Sequence, residues 1–446
     1  MAAEQIKLDV HALKVGMFVS KLDCPWHQTP FPLQGFYLRS DEEITSVTRY
    51  CRHVWIDVQK ATVRPEYEPH SAFSPSAPKS NPKRKPRTSG EELLKVPPIV
   101  VKSPVRYSHS APLLKEVSRT ERLHQQVYEA IDRVFTLVQC GAKLDAEETR
   151  QVADAMVESV IRNPDALVWL SKMNEVDSHG YQHSVKSSIW ALVFGRHLGL
   201  DRNALNLLAM GALLAQVGKS RLAPELLNID PQCMSAEQHS QYEMYVQHSL
   251  DILGGAESLP KGVLAIAEFH KERHNGTGFP KGITGEQIPL LAKIVGLVDH
   301  YQASISPLDN SHGLSPLDAV TSLYEQRNVL FQQDLVELFI QAVGVYPTGT
   351  LVELSSSEVA IVTGHNMDRR LQPKVMIVLD AEKRPLKHGR VVDLMEWNNR
   401  QAGREPLFIR ESLPKGAYAI DENQYLLTGA TSKWSFRHLT GALAAS

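Results

Sequence analysis

Three histidines and one aspartate have the residue types and the placing to hold a metal ion: His183, His248, His270 and Asp299. Each falls on, or at the end of, a different segment with helical apolar periodicity. Imidazole nitrogens and a carboxylate delivered from separate helices are how a helical bundle builds a transition-metal site in its core. Spacing alone does not bring them together, and a single histidine is more often structural than a ligand. Two histidine pairs lie four residues apart. His270 and His274 have the spacing of a helical zinc motif, but Lys271 stands where that motif has its catalytic glutamate. His179 and His183 flank Gly180, and His179 reads as an exposed turn residue. Lys219 and the loop Gly276–Pro280, with Gly278 and Phe279 inside it, form a second candidate. Backbone amides of a glycine-rich loop plus one ammonium suffice for weak phosphate binding. A tight turn explains Gly276 and Gly278 equally well.

The elements that must position these residues are helices. Between residues 113 and 141, Val117, Leu123, Val127, Ile131, Val134, Leu137 and Val138 recur at three- and four-residue steps, and Gly141 offers a C-cap. Similar helices are expected at Asp145–Arg162, Pro164–Met173, His183–Leu198, Arg202–Ala215, Ser235–Leu253, Gly262–His270 and Leu290–Ala303. Residues 115–340 therefore read as an all-helical bundle. Before it, residues 1–62 carry short β-rich runs and one helix-like stretch with Ser40 as its N-cap, a small α+β module. Residues 63–114 read as a disordered linker. Ten of the chain's 26 prolines lie between Pro65 and Pro112, and 71–90 is too polar to pack. Residues 341–446 return to alternating strands and a weakly patterned tail. The fold class expected is mainly α, with a small α+β module in front and a β-rich extension behind.

Composition excludes several functions. The chain has 446 residues, and Lys+Arg 48 against Asp+Glu 50 leaves a net charge of −2, so it is not built to coat nucleic acid or an anionic membrane. The four cysteines, Cys24, Cys51, Cys140 and Cys233, include no C-x-x-C pair. Neither a disulfide framework nor a thiolate zinc site is expected from them, and a reducing, cytoplasmic setting fits. No signal peptide or membrane-spanning run is expected.

The segments YQHSVKSS, GALLAQVGKSRLAPELL, YVQHSLDIL, EFHKERHNGTGFPKGITGEQIPLLAKIVGLVDHYQA and AVGVYPTGTLVEL occur in this order between Tyr181 and Leu354. In order and spacing they resemble the HD-GYP domain, a branch of the HD metal-dependent phosphohydrolases. The stretch GTGFPKGITGEQIP is the most specific part, with Phe279 in the tyrosine place. The N-terminal module resembles a domain of unknown function that often precedes HD-GYP domains. The resemblance implies an HD-type helical bundle and hydrolysis of cyclic di-GMP by a hydroxide bridging two or three metal ions, often iron or manganese.

The chain departs from that pattern where the chemistry sits. The H-D-x-G-K motif reads Ala215-Gln216-Val217-Gly218-Lys219. Alanine offers no lone pair, and a neutral carboxamide is a poor bridge between cations. The second histidine of H-H-E is Lys271, whose ammonium would repel a metal. Asn275 replaces an aspartate, Gln302 replaces the second aspartate of D-x-x-D-A, and Ser306-Pro307-Leu308-Asp309 replaces the phosphate-binding arginine run. The residual ligand set, His183, His248, His270 and Asp299, holds no metal or a single iron, manganese or zinc ion. The resemblance thus implies a catalytically degenerate, regulatory protein of cyclic di-GMP signalling, which binds the nucleotide, a diguanylate cyclase or another signalling protein through Lys219 and the Gly276–Pro280 loop. Two alternatives stand beside it: an active phosphodiesterase with an altered site, in which Lys219 stabilises phosphoryl oxygens, and a structural adaptor with an empty pocket.

Overall fold

The computed structural model describes residues 5–24, 36–38, 41–57, 99–173, 181–229, 233–256, 259–307, 313–364, 366, 371–400, 406–413 and 417–420. They fall in two compact units, divided between Leu93 and Leu94. Ser40, His179 and residues 71–90 lie outside the described residues.

The first unit is a four-stranded sheet with one helix. Strands β1 (Gln5–Asp9), β2 (Phe18–Leu22), β3 (Phe36–Tyr37) and β4 (His53–Asp57) run in the order β1-β4-β2-β3, and helix α1 spans Asp41–Tyr50. The pleat explains the pattern along β4: Val54 and Ile56 are buried, while Trp55 faces the other way. On that face Lys7 and Lys21 lie over the indole of Trp55, at 5.5 and 4.9 Å from the ring centre.

The second unit starts from α2 (Leu113–Gln139). It continues through α3 (Ala146–Arg162), α4 (Asp165–Met173), α5 (Tyr181–His197), α6 (Arg202–Leu214), α7 (Pro224–Leu227) and α8 (Ala236–Gly254). Then come α9 (Lys261–Phe269), α10 (Leu290–Ile305), α11 (Pro316–Glu325) and α12 (Gln333–Val343). Local chemistry sets their ends. Asp145 caps α3 by accepting from the Glu147 amide at 2.9 Å, Ser235 and Gln238 form a capping box on α8, and Gly141 takes a left-handed φ of 73° after α2. One apolar residue of α2 is misplaced by the spacing: Leu137 is 44% exposed.

Helix α5 is the axis of the bundle. Twelve of its 17 residues are buried, so it is covered nearly all round. Phe194 on α5, Tyr301 on α10 and Phe339 on α12 meet edge-to-face, with ring centres 5.2 Å apart in each of the two pairs. Behind the bundle, β5 (Leu351–Leu354), β6 (Val359–Gly364), β7 (Lys374–Leu379), β8 (Pro385–Asp393) and β9 (Ile409–Ser412) form an antiparallel sheet in the order β8-β7-β6-β5-β9, with α13 (Leu394–Arg400) beside it. No helix among the described residues is long and apolar enough to cross a membrane.

The expected linker of 63–114 ends too late. Residues 99–112 are an extended strap on the helical unit. Val105 donates its amide to Gly199 O at 2.8 Å, the Tyr107 hydroxyl donates to Leu200 O at 2.8 Å, and the Ser110 amide donates to Arg162 O at 3.1 Å. The Arg196 guanidinium donates to the Tyr107 and Ser108 carbonyls. Proline content predicts extended backbone here, and the strap is held because helix-end carbonyls lack partners inside their own helices.

Candidate functional site

Asp299 sits in the middle of α10, where the neighbouring Leu297, Val298 and Tyr301 are fully buried, so its carboxylate points into the bundle. His183, on the first turn of α5, meets it with Nε2 2.7 Å from Oδ1. The second partner stands just before the turn of residues 217–221 that follows α6: the Gln216 carboxamide donates to the same Oδ1. Lys271, just past the end of α9, places its ammonium 2.5 Å from Oδ2. Both carboxylate oxygens are therefore taken by the protein's own donors. The Asp299 side chain is 2% exposed. Burial alone would raise its pKa, but the Lys271 charge and the His183 hydrogen bond outweigh burial and hold it well below the usual carboxylate range.

Burial favours the neutral form of His183 and His270. Burial pushes His183 below its ordinary value despite the Asp299 bond. An ionised carboxylate only accepts, so the His183 hydrogen sits on Nε2, and Nδ1 is left buried with no hydrogen-bond partner. His270 has both nitrogens engaged. Its Nδ1 donates to Ala267 O at 2.9 Å, so Nε2 accepts from the Tyr245 hydroxyl at 2.9 Å. Burial lowers its pKa to about 3. His248 is half-buried on α8. Among the described residues, no group of three metal-type donors that draws on His183, His248, His270 or Asp299 has its atoms within 4.8 Å of one another.

The residues present do not fit the metal centre that the resemblance to HD domains implies. Of the expected ligand set of His183, His248, His270 and Asp299, the first and last meet, but no third member joins them among the described residues: both nitrogens of His270 are bonded elsewhere in the protein, and a lysine ammonium lies against Asp299 where a cation would have to approach. The helical pairing of His270 with His274 is also absent, because α9 ends at Phe269 and His274 lies in the following loop.

Lys219 is buried beside this cluster. Its ammonium stands 5.4 Å from the Tyr242 ring centre and 5.2 Å from that of Tyr245. Burial, opposed by the Asp299 charge, lowers its pKa to about 8. The tight turn that carries it is locked against α8, with the Gly218 amide donating to Ser249 Oγ and that hydroxyl donating to Ala215 O, both at 2.9 Å. A Cβ at Gly218 would lie 2.1 Å from Tyr245 O and 2.3 Å from the Ser249 nitrogen. Gly218→Ala is therefore expected to destabilise the protein by about 3 kcal/mol, the upper part of the overpacking range, as read from the urea midpoint.

The loop after His270 is organised by Glu272, which sequence reasoning passed over. Its carboxylate is buried and accepts the amides of Lys281 at 2.8 Å and Ile283 at 3.0 Å. The Gly276 amide donates to Arg273 O and the Phe279 amide to Lys271 O. The Thr277 amide donates to the Asn275 side chain. The amides of Gly276, Thr277 and Phe279 are thus engaged inside the expected phosphate cradle, and a phosphate cannot use N–H groups already bonded. Gly278 is fixed by close approach, since a Cβ there would stand 2.4 Å from Lys271 O. Phe279 packs edge-on to Tyr245 with ring centres 6.2 Å apart, while Pro280 is exposed.

One turn beyond Asp299, Gln302 faces a cavity of about 490 Å³ between the helices and the C-terminal sheet. Trp190, Lys172, Lys186, Ser171 and Thr350 also line it, and Lys172 donates to Thr350 Oγ1 at 3.1 Å. Gln302 is 2% exposed. The volume lies within the roughly 300–1,000 Å³ typical of small-molecule sites. Lys186 and Trp190 lie three and seven residues after His183 and Gln302 three after Asp299, so helical spacing places each near the aspartate cluster; nothing in sequence announces Lys172 from α4.

Comparison with known proteins adds three regional matches. Residues 5–149 match the family described as "Domain of unknown function (DUF3391)", residues 169–335 the "HD domain", and residues 351–401 the "KOW domain associated with HD domain". The cyclic di-GMP phosphodiesterase PA4108 of Pseudomonas aeruginosa is 27% identical over 404 residues, covering 90% of this chain and 92% of that protein. The cyclic di-GMP phosphodiesterase PdeB of Borreliella burgdorferi is 24% identical over 55% of this chain and 62% of its own length. Among solved structures, Bd1817, an HDG"Y"P protein from Bdellovibrio bacteriovorus, overlays 75% of this chain and 98% of its own with a TM-score of 0.43 and 16% identity.

Proposed function

We propose that this chain, an HD-domain protein with the DUF3391 module before its helical body and the KOW domain behind it, works in cyclic di-GMP signalling by binding rather than by hydrolysis. The observation that carries the reading is the occupation of Asp299: Lys271 holds one oxygen, and Gln216 and His183 share the other. An in-line phosphodiester hydrolysis of the two-metal kind needs a carboxylate free to bridge cations and a cation-bound hydroxide. Here the carboxylate is neutralised by an ammonium, which brings one positive charge and no exchangeable water. The HD fold is then a scaffold whose charged centre is balanced internally. The nucleotide, or a diguanylate cyclase domain that reads the exposed Pro280 edge, is the partner. The cavity lined by Trp190 and Gln302 supplies a flat ring, a carboxamide and two lysines, a chemistry suited to a base and an anion.

The names of the relatives support the opposing reading, an active hydrolase with an altered site in which Lys219 steadies the phosphoryl oxygens. Elemental analysis of the full chain, purified with iron, manganese and zinc supplied, separates the two when followed by a cyclic di-GMP hydrolysis assay on the same sample. The expected result is no turnover above buffer and no metal bound in the helical unit. Stoichiometric metal there together with turnover overturns the binding reading. Calorimetry with cyclic di-GMP then decides between nucleotide and protein partner.

A further inference from the structure

Among the described residues, one group of three metal-type donors does converge, and it lies in the N-terminal unit: Asp23, Cys24 and Cys51, whose ligand atoms all stand within 4.8 Å of one another. We propose that these three side chains are a binding site for a thiophilic divalent cation of the zinc class, with one coordination position left open.

The geometry matches such an ion. The two sulfurs are 3.5 Å apart. Two thiolates on a tetrahedral zinc, at about 2.3 Å from the metal, stand about 3.8 Å apart, so the pair needs to open by only a few tenths of an ångström. A disulfide, at about 2.05 Å, would need a closure several times larger. The donors come from two places that the backbone already joins. Asp23 and Cys24 follow the end of β2. Cys51 follows α1, its amide donating to Val47 O at 2.9 Å. Asp23 Oδ2 accepts the amides of Arg52 at 2.8 Å and His53 at 2.9 Å, which orients the carboxylate toward the cysteines. Outer hydrogen bonds of this kind are how a protein aims a metal-ligating carboxylate.

The chemistry of the donor set selects the ion. Two sulfurs and one carboxylate suit a borderline-soft cation and disfavour magnesium or calcium, which take oxygen ligands. Without a cation the Cys51 thiol is kept protonated, by burial first and then by Cys24 and Asp23. A divalent cation displaces that proton, so uptake releases protons and weakens as pH falls. The ion would clip the end of β2 to the end of α1 across the 27 residues that separate the cysteines. Their separation also hides the site in sequence, where no C-x-x-C spacing occurs.

Cobalt(II) titration of the reduced full-length chain is the test. The expected result is one equivalent bound, with a thiolate-to-cobalt charge-transfer band in the near ultraviolet that zinc bleaches. A chromophoric chelator then gives the zinc affinity. Cys24→Ser, at a half-buried position, is expected to weaken zinc by about 100-fold and abolish the band, and Asp23→Asn to weaken it by about 10-fold, with a folded N-terminal unit by circular dichroism. The paired substitution Cys140→Ser and Cys233→Ser, both exposed, is expected to leave the band unchanged. Absence of the band in the parent chain overturns the proposal, as does a band lost with Cys140 and Cys233, or zinc affinity unchanged in Cys24→Ser. Failure of zinc uptake combined with ready Cys24–Cys51 disulfide formation by oxidised glutathione also overturns it. A second equivalent of metal, retained in Cys24→Ser while the thiolate band is lost, belongs to the helical unit and counts against the binding reading of that unit, so the two outcomes are distinguishable.

Discussion

Lys271→Ala is expected to lower the stability of the helical unit by about 3–5 kcal/mol, the cost of stripping one partner from a buried ion pair. The Asp299 side chain is 2% exposed and that of Lys271 is 14% exposed, so the carboxylate left behind stays largely out of water. His183 and Gln216 would remain, but both then bond the same oxygen, and Oδ2 loses its partner. The Asp299 pKa rises as a result. The double substitution Lys271→Ala with Asp299→Asn is expected to recover most of the loss, because an asparagine carries no charge to strand. Urea unfolding of the parent, both single variants and the pair forms a double-mutant cycle. A strongly favourable coupling is expected between positions 271 and 299. Additive losses, or a Lys271→Ala cost under about 1 kcal/mol, would mean the lysine merely packs there, and the internal-cation account of the site would fall.

That account shows where sequence reasoning stops. The helical bundle was legible because apolar residues repeat at three- and four-residue steps, and the order of helices followed from caps and breaks. His183 and Asp299 were legible as polar residues inside otherwise apolar helices, and they do pair. The replacement of a histidine-aspartate pair by Ala215 and Gln216 was equally plain. The role of Lys271 was only half legible. Its charge says that it opposes a metal, but not that its side chain reaches an aspartate 28 residues away and takes the place of one. His270 looked like a ligand because the Tyr245 hydroxyl that occupies its Nε2 comes from another helix, 25 residues earlier. His248 kept the expected type and place but joins no group of three metal-type donors among the described residues. The strand β9, IRES, escaped notice because it lacks alternation and is defined by pairing with β5. The composition of the strap at 99–112 reads as disorder because it reports what a segment cannot bury, not which helix ends will accept its amides. The cysteine pair shows the same limit, since Cys24 and Cys51 meet beside the ends of the paired strands β2 and β4 and share no local spacing.

Acid should unfold this protein through its histidines before it reaches the Asp299 ion pair. Burial holds His124 down to about 4, with Lys186 adding to it. His300 is held at about 4 by burial, then by Arg273 and Lys271, and His270 at about 3 by burial, with Lys271 and Arg273 also opposing its charge. In the unfolded chain each titrates near 6.5. The stability they contribute is therefore complete above about pH 6.5 and is lost as pH falls toward about 4, because only the unfolded state takes up the protons. Each group contributes about 1.4 kcal/mol per pH unit in that window, so three give about 4 kcal/mol per unit once well below 6.5. The depressed Asp299 behaves differently: its contribution is present above the unfolded carboxylate value of about 3.9 and disappears only below it. A typical domain stability of about 5–15 kcal/mol is used up by the histidines first. Urea midpoints measured from pH 7.5 to 4.5 are expected to fall steeply below pH 6, with a linked uptake near three protons at pH 5. His124 packs against Tyr128 with ring centres 4.7 Å apart, and its Nε2 has no hydrogen-bond partner. His124→Phe keeps a ring in that place and removes one titrating group, so it should lower the linked uptake by one proton and raise stability at pH 5 more than at pH 7.5. A slope of one proton or fewer in the parent, or an equal effect of His124→Phe at both pH values, would show that buried neutral histidines are not what makes the fold acid-sensitive.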